Sequence, residues 1–143
     1  MCEQIRAWGW RLDVLVHNAA MGRFQPLLEA RPAEWDIALR TNAHALLLLT
    51  REALDLFARG ARIVAVSSLG SHRYVPFYGA IGPSKAALES VVRTLAVELA
   101  PRGIRVNAAS GVRAGRGGGW GEWVGVSGLL VSNRYRYGDV CRS

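Results

Sequence analysis

Three short β-branched segments alternate with two long helical patterns, and this alternation most constrains the fold. Residues 12–16, 62–66 and 104–107 have the length and the Val/Ile/Leu content of buried strands. Between them, apolar residues recur at helical spacing over 32–60 and 83–100. The order strand-helix-strand-helix-strand describes two βαβ units, whose crossover helices require parallel strands. We therefore predict an α/β fold built on a parallel sheet.

The first helical pattern has a polar residue among its apolar ones. Pro32 suits the first helical position, and Gly60 is placed to end the helix. The predicted buried stripe is Trp35, Leu39, Asn42, Leu46, Leu49, Ala53 and Phe57. Asn42 must find partners there, because a buried amide without them costs about 1–3 kcal/mol.

Composition limits the kind of protein. The formal net charge is +7, and Lys85 is the only lysine beside seventeen arginines. The longest apolar run, 45–49, is far shorter than the ~20 residues that span a bilayer, so no membrane partner is expected. Cys2 and Cys141 form no disulfide framework, and the histidines have no metal-ligand spacing. We expect no metal site and a cytoplasmic location.

The chain changes character after Gly111, which divides it into two regions. Residues 1–111 carry the strand and helix patterns, and residues 112–143 form a tail rich in Gly, Arg and Trp. We expect this tail to be disordered, or non-native in sequence through a frameshift. Its arginines and tryptophans suit single-stranded nucleic acid, but we do not expect such a partner.

Groups suited to proton transfer follow the second strand. Ser67 and Ser68 end that strand, and Tyr78 and Lys85 follow within one loop and the start of a helix. Ligands of open α/β sheets bind at the carboxyl ends of the strands. A proton donor, a nearby cation and a hydrogen-bonding hydroxyl together suit a hydride transfer that is coupled to proton transfer.

Four segments, in order, resemble the short-chain dehydrogenase/reductase family. They are LDVLVHNAA at 12–20, Thr41-Asn42, IVAVSSLGS at 63–71, and the segment 84–111 from SKAALE to NAASG. The resemblance implies a partial Rossmann-type, doubly wound sheet that lacks the first βαβαβ half. The usual tyrosine, four residues before the lysine, is replaced by Ile81. The spacing from Tyr78 to Lys85 instead resembles the enoyl-acyl-carrier-protein reductase III branch.

The resemblance also implies roles for individual residues. Tyr78 is the expected proton donor, Lys85 modulates its pKa and binds the nicotinamide ribose, and Ser68 and Asn42 support catalysis. The expected cofactor-binding residues are Asn18, Ala19, Ala20, Tyr78, Lys85 and Gly111. Ordinary interpretations stay open: Tyr78 as a loop aromatic, Ser68 as a turn serine, Asn42 as a structural amide and Lys85 as a surface lysine. Pro83 places Tyr78 in the loop before the helix.

The expected function is reduction of an enoyl- or 3-oxoacyl-thioester, or another small carbonyl or enoyl substrate, with NAD or NADP. The family's glycine-rich cofactor loop is not found before Asn18, where Gly9 is the single glycine. We therefore expect this chain to be inactive as a fragment. The resemblance implies a homo-oligomer formed through the two long helices. The alternative is a non-catalytic interaction module that pairs with a full-length relative.

Overall fold

The computed structural model describes residues 1–111 and 126–129. The helices are α1 (Cys2–Ala7), α2 (Pro32–Leu39), α3 (Ala45–Glu52) and α4 (Ile81–Leu99), with a π-helical turn at Arg40–His44 between α2 and α3. The strands are β1 (Leu12–His17), β2 (Phe57–Ser68), β3 (Arg105–Gly111) and β4 (Val126–Leu129). Short 3-10 turns lie at Leu27–Glu29, Leu69–Ser71 and Ala100–Arg102. The rest of the predicted tail, 112–125 and 130–143, lies outside the described residues.

The strands form one sheet in the order β1-β2-β3-β4. The β1–β2 and β2–β3 pairs are parallel, and β4 runs antiparallel to β3. The α/β fold with parallel strands joined by helices is confirmed. No regular element was predicted after Gly111, so β4 is an addition to the predicted topology. The parallel arrangement brings the carboxyl ends of β1, β2 and β3 to the same edge of the sheet.

The core lies between the helices and one face of the sheet. Ile63 and Val106 point toward it from β2 and β3, and Leu46, Leu88 and Val92 meet them from α3 and α4; all five are fully buried. Side chains alternate along a strand, so the neighbouring residues point to the opposite face. On β1 that arrangement leaves Val14 and Val16 more than half exposed.

The first predicted helix differs from its observed form in length. The helical segments end at Glu52, eight residues before Gly60. Gly60 lies inside β2 with φ +87°, a left-handed conformation that glycine adopts readily. The register between β1 and β2 is irregular there, because Leu12 pairs with Phe57 and Val14 with Arg62. Gly60 therefore serves a β-bulge, and its predicted role as a helix stop is wrong.

The predicted buried stripe of this helix is partly wrong as well. Trp35, Leu39 and Leu49 are only partly buried, whereas Ala38, Asn42, Leu46 and Thr50 are buried. The buried residues are four positions apart. In a regular helix of 3.6 residues per turn, side chains with this spacing would point in progressively different directions. The π turn at Arg40–His44 widens the helix locally and keeps these side chains facing the core. Within the described residues, no helix has the length and apolar character needed to cross a bilayer.

Candidate active site

Ser68 is the last residue of β2 and pairs with Gly111, the last residue of β3. Its Oγ accepts a hydrogen bond of 3.3 Å from the backbone N–H of Gly70 in the following 3-10 turn. Ser67 points to the other face of the sheet and is buried. The strand end thus presents one serine hydroxyl to the edge of the sheet and the other to the core.

Tyr78 lies in the loop before α4, as predicted, and its phenol donates a hydrogen bond of 2.9 Å to Ser68 Oγ. The ring packs on the backbone of Gly70, where a Cβ would come within 2.3 Å of Tyr78 Cδ1. The next peptide is held by Gly79 N–H, which donates to the carbonyl of Gln25 at 3.1 Å. These contacts fix the phenol against the end of β2.

The residue before Tyr78 has an unusual backbone conformation. Phe77 has φ +59°, a left-handed conformation that costs a non-glycine residue about 1–2 kcal/mol. Its side chain is 61% exposed, so burial of the ring does not offset this strain. Strained residues of this kind persist where the surrounding structure requires them, often beside functional groups.

Lys85 is buried, with 4% of its surface exposed. Helix α4 begins at Ile81, two residues before the predicted start at residue 83, so Lys85 lies in its second turn. The Nζ atom donates to the carbonyl of Val66 at 2.7 Å, near the same strand end as Ser68. Burial lowers the pKa of Lys85. The alternative of a surface lysine is therefore wrong.

Asn42 is fully buried, and its bonds attach a loop to the helices. Its amide nitrogen donates to the carbonyl of Met21 and to Ser84 Oγ, both at 2.8 Å, and its Oδ1 accepts from Met21 N–H at 2.7 Å. His17 Nε2 lies 3.3 Å from the Asn42 carbonyl. Desolvation lowers the pKa of His17 in spite of this hydrogen bond, and the charge of Lys85 lowers it further. No hydrogen bond joins Asn42 to Tyr78 or Ser68 in residues 1–111.

The remaining predicted residues lie at the same edge of the sheet. Asn18, Ala19 and Ala20 follow β1 directly and are exposed. Gly111 ends β3 beside Ser68. The fold thus places residues 18–20, Ser68 and Gly111 at the carboxyl ends of three neighbouring strands. Among the predicted residues, the one side-chain hydrogen bond joins Tyr78 to Ser68.

An open cleft of about 440 Å³ borders Tyr78. It is lined by residues 25–28, 73–75 and 77–79, together with Gly70, Gly82 and Pro83. Leu28 is fully exposed, Tyr74 is 90% exposed and Phe77 also points outward. We call Leu27, Leu28, Tyr74 and Phe77 the cleft rim. An apolar rim beside a phenol hydroxyl suits a substrate with an apolar body and one reacting oxygen.

Three residues at the site were not predicted from the sequence. Gly70 makes room for the Tyr78 ring, Ser84 receives the Asn42 amide, and Glu89 bonds the hydroxyls of Ser67 and Ser71. Gly70 lies two residues after Ser68, and a glycine directly after the strand-end serines could have indicated that another group packs closely against the backbone there. Glu89 carries no such signal, because a glutamate in the middle of a helix is ordinarily a solvated residue. Among the described residues, no group of three His, Cys, Asp or Glu residues could hold a metal.

Comparison with known proteins identifies the family. A family model described as enoyl-(acyl carrier protein) reductase matches residues 1–113. The chain belongs to this family, within the short-chain dehydrogenases/reductases. The prediction of the family is confirmed.

Individual relatives agree with this assignment. The chain is 45% identical over 101 residues to 1-cyclohexenylcarbonyl-CoA reductase of Streptomyces collinus, covering 71% of this chain and 36% of that protein. It is 38% identical over 108 residues to the NADH-dependent enoyl-[acyl-carrier-protein] reductase of Aquifex aeolicus, covering 72% and 40%. The crystal structure of an Aquifex aeolicus VF5 enoyl-[acyl-carrier-protein] reductase (NADH) superposes with a TM-score of 0.72 at 35% identity, covering 78% of this chain and 46% of that one. This chain spans about two-fifths of the length of these curated relatives.

Proposed function

We propose that residues 1–111 form the catalytic part of an NAD(P)-dependent reductase that acts on an enoyl- or 3-oxoacyl-thioester. The observation that carries this proposal is the hydrogen bond of 2.9 Å between Tyr78 and Ser68 at the carboxyl end of β2. The buried Lys85 lies behind the same strand end. Two of the relatives are named as reductases of a cyclohexenylcarbonyl-CoA and of an enoyl-acyl-carrier-protein, which supports a thioester substrate here.

The donor set near Lys85 fits the hydroxyl groups of a nicotinamide cofactor. An ammonium carries three N–H donors, and within the described residues Lys85 uses one of them, toward Val66. The remaining donors suit ribose hydroxyls. Gly111, and Asn18 to Ala20, lie at the ends of β3 and β1 on the same sheet edge, where cofactors of open α/β sheets bind.

The phenol and the serine act on the substrate oxygen. When bound, the nicotinamide supplies a hydride to the substrate carbon. Tyr78 OH gives its proton to the oxygen on which negative charge develops, and that oxygen replaces Ser68 Oγ as its acceptor. Ser68 Oγ already accepts from Gly70 N–H, so its own O–H is free to donate to the same oxygen. The positive charge of Lys85 stabilises the resulting phenolate.

Exposed apolar residues on the long helix support association between copies. Ile37 on α2 and Leu47 and Leu48 on α3 are between 38% and 49% exposed. We propose that this surface contributes to a homo-oligomer of the active protein, located in the cytoplasm. The same exposed residues, with Val14 and Val16 on β1, favour the second candidate, a non-catalytic module that pairs with a longer relative. On either account we propose that the 143-residue chain alone reduces no thioester.

A chimeric enzyme tests the reductase proposal, because it supplies the part of the relatives that this chain does not match. Residues 1–111 replace the matched segment of the Aquifex aeolicus reductase, and oxidation of NADH or NADPH is followed at 340 nm with crotonyl-CoA and acetoacetyl-CoA. We expect turnover of at least one thioester. Y78F lowers kcat by at least about 100-fold, since general acid catalysis contributes roughly 10²–10⁴-fold.

Thr94, at an exposed position of α4 that does not line the cleft, provides the control. T94V also removes one hydroxyl group, and it leaves kcat unchanged. A folded chimera that binds the cofactor but reduces neither thioester would contradict the proposal, as would a Y78F chimera that retains full kcat. Co-purification of the 143-residue chain with the intact Aquifex enzyme, without a gain in turnover, would favour the interaction module.

A further inference from the structure

Glu89 is a buried carboxylate that the proposed reaction does not use. It lies on α4 one turn after Lys85, on the same face of the helix, and is 8% exposed. In residues 1–111 no Lys or Arg nitrogen lies within salt-bridge distance of it. A buried carboxylate of this kind must be stabilised by hydrogen-bond donors.

Two serine hydroxyls provide these donors and converge on one oxygen. Ser67 Oγ donates to Glu89 Oε1 at 2.5 Å, and Ser71 Oγ lies 2.6 Å from the same atom. Ser71 has one hydroxyl hydrogen, and the Ser68 carbonyl at 2.8 Å and His72 Nδ1 at 3.1 Å also lie within hydrogen-bond distance of its Oγ. Hydrogen bonds to a carboxylate are short and stronger than those between neutral groups, so these contacts restrain the turn firmly.

The two serines flank Ser68 in the chain. Ser67 precedes it on β2 with its side chain on the opposite face, and Ser71 ends the 3-10 turn that follows. One carboxylate therefore holds the backbone on both sides of Ser68 and leaves Ser68 Oγ directed at Tyr78, 2.9 Å away. Apart from these contacts, the strand end is held by the pairing of Ser67 and Ser68 with β3 and by the hydrogen bond from Gly70 N–H to Ser68 Oγ.

We propose that Glu89 is a positioning residue that sets the hydrogen bond between Ser68 and Tyr78 by fixing Ser67 and Ser71. It touches neither substrate nor cofactor. Its consequence for catalysis rests on the proposed function, whereas its effect on the hydrogen bond is a property of the fold and can be measured without turnover.

The hydrogen bond is measured on the 143-residue chain labelled with 3-fluorotyrosine, whose ¹⁹F resonance reports on the adjacent phenol hydroxyl. The Tyr78 resonance is assigned by its loss in Y78F. We expect E89L and S68A each to shift this resonance, and the double variant to shift it no further than S68A alone. An unshifted resonance in folded E89L, or additive shifts in the double variant, would overturn the proposal.

Two further variants separate positioning from general packing. E89Q keeps an oxygen that accepts from both serines, so its resonance stays near the wild-type position. E98Q, at an exposed position of the same helix, changes nothing. If E89L fails to fold, S71A removes one of the two restraints and is expected to shift the resonance, again without additivity in the S68A background. An unshifted resonance in S71A then overturns the proposal.

Kinetics of the chimera connect this effect to catalysis. We expect E89L to lower kcat on the order of tenfold while KM is unchanged, because small misplacements of reacting groups reduce the rate and not the binding. Unchanged kcat in E89L would overturn the catalytic consequence. If the chimera lacks activity altogether, the reductase proposal fails, and the ¹⁹F measurement still decides whether Glu89 positions Ser68.

Discussion

The interior behind Ser68 and the cleft rim differ in which side chains are buried: polar ones are buried in the interior, and apolar ones are exposed at the rim. Behind the strand end, Asn42, Ser84, Lys85 and Glu89 are buried, and each side chain makes a hydrogen bond. At the cleft rim, by contrast, large apolar side chains are exposed and Phe77 has a strained backbone. Buried hydrogen-bonded polar groups hold neighbouring side chains in one arrangement, at a cost in desolvation. Exposed apolar side chains do not stabilise the fold, but they can bind a ligand. Substitutions in the two regions should therefore have different effects.

The largest effect on stability is expected at Asn42. N42L leaves the N–H and carbonyl of Met21 without their side-chain partners, and we expect the free energy of unfolding to fall by about 2–3 kcal/mol. T50V is the matched control on the same helix face, because within residues 1–111 the buried Thr50 Oγ1 has no hydrogen-bond partner. Urea denaturation of both variants checks this, with T50V at least as stable as the wild type. A stable N42L variant would remove the distinction between the two regions.

Substitutions of Phe77 measure how much its left-handed backbone conformation lowers the free energy of unfolding. F77V places a β-branched residue at φ +59° and is expected to lower the free energy of unfolding by about 1–2 kcal/mol. F77G removes the strain together with the ring, and it is expected to be more stable than F77V in urea denaturation. If the two variants are equally stable, the left-handed conformation does not explain the cost. Weaker substrate binding by a folded F77G would assign the ring to ligand contact.

His17 adds a pH dependence to the interior. Desolvation lowers its folded-state pKa below the ordinary 6.5, so the unfolded chain binds more protons between these two values. The free energy of unfolding is therefore expected to fall as the pH falls below about 6.5, by at most about 1.4 kcal/mol per pH unit. Denaturation between pH 7 and pH 5 measures the slope. H17Q should flatten it, whereas H44Q, at an exposed histidine, should leave it unchanged.

Leu28 should show the smallest effect on stability. Its side chain is fully exposed, so L28S is expected to change the free energy of unfolding by less than about 0.5 kcal/mol. If the cleft receives the acyl part of the substrate, the same variant raises KM for a long-chain thioester more than for crotonyl-CoA. A large loss of stability in L28S would mean that the rim serves the fold and not a ligand.

The sequence predicted the features that depend on local patterns. The β-branched runs identified all three parallel strands, and Pro83 placed Tyr78 ahead of the helix, where the structure has it. Gly60 was misassigned because a glycine that ends a helix and one that forms a bulge look alike without knowledge of the neighbouring strand. Glu89 and Ser71 lie eighteen residues apart, and only the packing of α4 against β2 brings them together. The roles of Tyr78, Lys85 and Ser68 stay predictions until the variants are measured.

The π turn at Arg40–His44 makes the register of this helix sensitive to deletion. A π turn accommodates an additional residue within a helix, and removing one residue there would allow regular bonding to continue. Each residue of a regular helix corresponds to about 100° of rotation. After such a deletion α2 and α3 would turn relative to each other by roughly that angle, so Asn42 could not keep its bonds to Met21 and Ser84 while Leu46 stayed in the core. Deletion of one residue within Arg40–His44 would therefore make the helix more regular, but the loop that contains Met21 would lose its hydrogen bonds to Asn42.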